Sequence, residues 1–155
     1  MIDRQKRDQA ASLVRHFLRG DITSDQLESG WPSNNEDRAL EAVSSMVWLH
    51  YDDLRPRRLI GRDAASPEEA ALLRRYAAFL DTDLPYDWPA SDSMRISGLG
   101  SLVPFSLGLL KPLDRRIKAR NEEFEAAMDA HGDMTVWPFT RREDWADEPL
   151  PPYDR

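Results

Sequence analysis

The chain has 155 residues, 28 acidic and 21 basic side chains, a net charge of −7 and no cysteine. It is of single-domain size, and disulfides, thiolate nucleophiles and thiolate metal sites are excluded. Its acidity opposes nucleic acid and anionic lipid and suits a basic partner, while 41% apolar residues suffice for one core.

The opening Met1-Ile2-Asp3-Arg4-Gln5-Lys6-Arg7-Asp8 lacks the apolar run of a secretory signal, so a cytoplasmic location is expected. Residues 3–19 place Ala10, Leu13, Val14, Phe17 and Leu18 at helical spacing and end at Arg19-Gly20, which predicts a first helix. Thr23 or Ser24 caps a short second helix, closed by Gly30, Trp31 and Pro32. For the third helix Ser33-Asn34-Asn35 offers the cap, the buried stripe is Leu40, Val43, Met46, Val47, Tyr51 and Leu54, and Pro56 is the bound. Ser66-Pro67-Glu68-Glu69 starts a fourth, with Leu72, Leu73, Tyr76, Phe79 and Leu80 inward.

Residues 81–95 read as an ordered loop, and 96–110 as an uncharged stretch too short and too rich in glycine to span a bilayer. A long C-terminal helix is expected over 112–130, then an extended segment Met134–Phe139, then an acidic, proline-rich tail over 141–155. The fold class is therefore all-α: one compact domain over 1–140 with four main helices. Trp31, Trp88 and Trp137 each precede proline where a helical pattern has ended. With Trp48 they are the expected structural anchors, Trp48 and Trp88 among the most buried.

Four segments then show a likeness: Phe17-Leu18-Arg19-Gly20-Asp21-Ile22-Thr23, Trp48-Leu49-His50-Tyr51-Asp52-Asp53-Leu54, Phe79-Leu80-Asp81-Thr82-Asp83-Leu84-Pro85-Tyr86-Asp87-Trp88-Pro89 and Val136-Trp137-Pro138-Phe139. Their order resembles that of a family of small bacterial proteins of unassigned function. The resemblance covers about residues 10–89 and 131–140, implies a mostly helical intracellular protein and transfers no catalytic residue.

Three clusters invite chemistry. Asp81 and Asp83 have the spacing of a haloacid-dehalogenase phosphatase loop, but they follow a helical stripe where that chemistry needs a strand. A calcium loop through Asp81, Asp83 and Asp87 is spoiled by Pro85 and Tyr86. His50 and Asp52 would form a divalent-metal hydrolase site only if their helix end met Asp81 and Asp83 in one cleft. The bland alternatives are turn capping and ion pairs between the 55–75 arginines and Asp53, Asp63, Glu68 and Glu69.

No motif implies a cofactor. The expected function is a non-catalytic protein-protein interaction module, of immunity or antidote character or self-associating. The seam Leu110, Leu113, Ile117, Phe124 and Met128, near the 3.5-residue repeat, predicts a homodimer. The alternatives are the hydrolase on His50, Asp52, Asp81 and Asp83, and peripheral membrane attachment through residues 96–110, which the chain's acidity disfavours.

Overall fold

Asp3 starts the first helix by accepting the backbone N–H of Lys6 at 3.1 Å, and α1 runs Arg4–Leu18. The computed structural model describes residues 1–33, 36–50, 55–89, 123 and 126–145, and the chain divides into two units, Met1–Tyr86 and Asp87–Arg155. Among the described residues there are helices and turns and no strand.

In the first unit α1 closes on Gly20, whose φ of 72° is the left-handed geometry that favours glycine. The Gly20 N–H reaches Phe17 O at 2.8 Å and the Asp21 N–H reaches His16 O at 2.9 Å, the paired bonds of a Schellman ending. Thr23 caps α2 (Ser24–Gly30) in a reciprocal capping box with Gln26, as its position predicts. Ser66 caps α4 (Pro67–Leu80) with Pro67 in the first turn, also as expected.

The third helix corrects the reading of its start and extends no further than Val47 as α-helix. Asp37, not the Ser33–Asn35 cluster, caps α3 (Arg38–Val47) by accepting the Ala39 N–H at 3.1 Å. The chain tightens after it into a 3-10 turn, Trp48–His50. Tyr51 and Leu54 of the expected stripe lie outside the described residues.

α1 packs mainly on α4, with α2 and α3 each against α1 and α3 also against α4. Ala10, Ala11, Val14 and Phe17 of α1 are fully buried, as are Ala39, Leu40 and Val43 of α3 and Leu73, Tyr76, Phe79 and Leu80 of α4. Each large side chain so buried contributes about 1.5–3 kcal/mol. Leu13, Leu18, Met46 and Leu72 from the expected stripes are only half-buried.

Arg7 extends the inner stripe of α1 by one more turn, and nothing of it is exposed. Its Nε and Nη2 donate to the two oxygens of Asp37 at 2.7 and 2.9 Å, and its Nη1 donates to the carbonyls of Thr82 at 3.1 Å and Leu84 at 2.7 Å. The guanidinium also lies 5.6 Å from the Phe79 ring centroid. Asp37 takes a further bond from the Asp3 N–H at 3.1 Å, so one ion pair joins the starts of α1 and α3 to the end of α4. Burial alone would raise the Asp37 carboxyl, but the Arg7 and backbone donors outweigh it and hold the group below its ordinary value of 3.8. Among the described residues no buried side-chain polar atom lacks a partner.

In the second unit Trp88 is fully buried, and its indole N–H donates to Pro138 O at 2.8 Å. Its ring lies 5.6 Å from that of His131. Val136, Trp137 and Phe139 are also buried. The expected extended segment is instead a 3-10 turn, Met134–Val136, followed by a cis Trp137-Pro138 peptide. Asp133 decides this local outcome: its carboxylate accepts the Thr135 N–H at 2.9 Å and the Thr135 hydroxyl at 2.6 Å, side-chain bonds that compete with a strand.

Residues 126–131 are helical, while the remainder of the expected 112–130 helix, apart from helical residue 123, lies outside the described residues. So do residues 96–110, most of the 141–155 tail, and Leu110, Leu113, Ile117 and Phe124 of the expected interface. Met128, its fifth member, is buried at 6% exposure.

Candidate functional site

α2 and α3 both rest on α1, and the space where their last turns come together is a groove of about 260 Å³. Leu27, Glu28, Trp31 and Pro32 line it from the α2 end, and Ser44, Val47 and Trp48 from α3 and the turn after it. Leu27 and Val47 are buried and form its floor, whereas Trp48 is 48% exposed and Leu49 beside it 75%. Trp31 is half-buried.

Trp48 therefore corrects the expectation that it would rank among the most buried aromatics. The reason is angular. The inward stripe of α3 passes through Leu40, Val43 and Val47, and the next residue points about 100° away, on the face of Ser44 one turn earlier. The size of the side chain suggested an anchor, but its phase on the helix, legible in the sequence, places it outside. Of the four expected anchors Trp88 and Trp137 are buried, Trp31 partly so and Trp48 is not.

The groove has a definite electrostatic character. The C-terminal end of a helix is its negative end, and neither α2 nor α3 has a basic residue in its last turn. Glu28 is the charged lining residue, and no lining residue is basic. Two side chains donate to the carbonyls that follow these helices: Gln9 Nε2, which is neutral, to Gly30 O at 3.0 Å, and Arg57, which is matched by Glu69, to His50 O.

That Arg57–Glu69 pair belongs to the second polar cluster. Arg57 Nη1 and Nη2 meet the two Glu69 oxygens at 3.2 and 3.4 Å, and His50 Nδ1 lies 3.4 Å from Glu69 Oε1. The His50 ring stands 6.2 Å from that of buried Tyr76. Burial lowers the His50 pKa from its ordinary 6.5, against the opposite pull of Glu69 and with a smaller lowering from Arg57. Burial likewise raises the Tyr76 phenol, so both rings stay neutral at pH 7.

The structure takes the other expected polar residues elsewhere. Asp81 ends α4 and pairs with Arg15. Asp83, its side chain 82% exposed, lies 3.5 Å from Arg4. Thr82 rather than either aspartate pins the turn, its hydroxyl donating to Phe79 O at 2.7 Å and accepting from the Leu84 N–H at 3.3 Å. Asp52 lies outside the described residues. Among the described residues no group of three His, Cys, Asp or Glu could hold a metal ion, and no helix is long and apolar enough to cross a membrane.

Reading the sequence for aromatic anchors missed Glu28, Ser44 and the Arg7–Asp37 pair. For the groove only half a signal existed: α2 ends without lysine or arginine, whereas the expected third helix runs on to Leu54, beside Arg55, and its true end at Val47 is not marked. Arg7 was recognisable only as one charge in a charged N-terminal run. No protein-family model matches the chain, and neither a curated protein nor a solved structure matches it.

Proposed function

We propose that the chain is a non-catalytic, cytoplasmic protein-protein interaction module that meets its partner through the α2–α3 groove. The observation that carries this reading is Trp48, half-exposed on the groove rim where the core has no use for it. Large, rigid aromatic side chains lose little conformational entropy on binding and dominate interface energies. The groove's volume, about 260 Å³, falls below the range of about 300–1,000 Å³ usual for small-molecule sites and suits one or two side chains of a protein partner.

The test is affinity capture from cells of the native host with the full chain and with Trp48→Ala, both confirmed folded by circular dichroism. A partner retained by the intact chain and lost by the variant supports the reading. Identical captures, or none, defeat it. Self-association is one form of the same reading, and light scattering at micromolar concentration identifies it by a dimer mass.

A further inference from the structure

We propose that the α2–α3 groove receives a cationic side chain, arginine or lysine, from a partner protein; the inference rests on the interaction reading above and gives the partner its chemistry. Three features of the groove point the same way. The negative ends of two helices come together there without a basic residue in either last turn. Glu28 is on the wall and exposed, and neither an ion pair nor a hydrogen bond engages its carboxylate among the described residues. Trp31 and Trp48 line the groove, and indole is the aromatic ring that attracts a cation most strongly.

Among the described residues α2 carries Asp25 and Glu28 and no base, and Arg57, which reaches His50 O, is held by Glu69. An anion would meet two negative helix ends and a carboxylate. A purely apolar side chain would bury the Glu28 end of the groove without compensation. A cation instead gains from all three, its alkyl stem covering Leu27 and Val47 while the charged head stays near Glu28.

The experiment is a ¹⁵N–¹H NMR titration of the full chain with N-acetyl-arginine amide, read at the indole N–H resonances. N-acetyl-citrulline amide keeps the shape and removes the charge. The Trp31 and Trp48 resonances should move saturably with the arginine probe, and citrulline should bind about tenfold more weakly. Glu28→Gln, at an exposed site that leaves the fold intact, should weaken the arginine probe about tenfold, and added salt should weaken it further. No movement with arginine, equal movement with citrulline, or an unchanged Glu28→Gln response overturns the proposal. Capture from cells separates this failure from the broader one. If Glu28→Gln keeps the partner that Trp48→Ala loses, the cationic chemistry is wrong and the interaction reading stands. If Trp48→Ala keeps it, the interaction reading fails.

Discussion

The end of α4 and the ends of α2 and α3 pose the same electrostatic problem and meet it differently. At α4 the chain supplies its own cations: Arg7 donates to the carbonyls of Thr82 and Leu84, and Arg4 to those of Thr82 and Leu80. Asp37 balances the buried Arg7 charge. Beyond α3, Arg57 donates to His50 O and is balanced by Glu69, but at the groove itself no lining residue is basic, the α2 end receives only the neutral Gln9 amide at Gly30 O, and an acid and two tryptophans stand there instead. The first arrangement is closed and serves stability. The second leaves a negative, aromatic surface at the groove, with Trp48 half-exposed on it.

The largest effects should come from breaking the closed end. Asp37→Ala leaves Arg7 buried without its partner and removes the α3 cap, and should cost about 3–5 kcal/mol in urea unfolding. A loss below about 1 kcal/mol would show that the pair is dispensable. Because the folded Asp37 pKa is depressed, its contribution is fully present above its unfolded value of 3.8 and disappears as pH falls through the folded value. Asp37→Asn should therefore reduce the slope of stability against pH in that acid range.

Trp88 and Trp48 make the same comparison with one residue type. Trp88→Ala empties a fully buried site and orphans Pro138 O, and should cost about 3–5 kcal/mol. Trp48→Ala, at a half-exposed rim, should change stability by no more than about 1 kcal/mol. Equal losses in thermal unfolding would erase the distinction drawn between them.

Helical periodicity and caps made much of this fold legible: Thr23 and Ser66 begin their helices as predicted, and among the described residues α1, α3 and α4 bury most of the expected stripe positions. The misses have physical causes. The size of Trp48 predicts burial, but its phase on the helix decides for exposure. The Met134–Phe139 segment looked extended because its β-forming residues outweighed a single Asp133 whose two side-chain bonds fix a turn. Arg7–Asp37 joins positions 30 residues apart, and no local pattern marks which charges a fold will bury. The groove was half legible, in its tryptophans and in the missing base at the end of α2, but the end of α3 at Val47 and its approach to α2 over α1 were not.

A smaller effect concerns the polar cluster beside α3. His50 is held neutral, its folded pKa below 6.5, so the unfolded chain binds the proton more readily. Stability should accordingly decline as pH falls below 6.5 toward the folded value, and level off once the folded form is also protonated. In His50→Gln that part of the pH profile should be flat; an unchanged profile would assign the titration to another group.

The α2 end of the groove carries negative potential that no basic residue matches among the described residues, and urea unfolding of Glu28→Lys probes that potential. The substitution removes an acid from the last turn of α2 and puts a base there, at an exposed position. The expected result is a gain of about 0.5–1 kcal/mol over the intact chain at low ionic strength, shrinking as salt is added. Unchanged or lower stability would mean that the helix ends are already matched, and would contradict it.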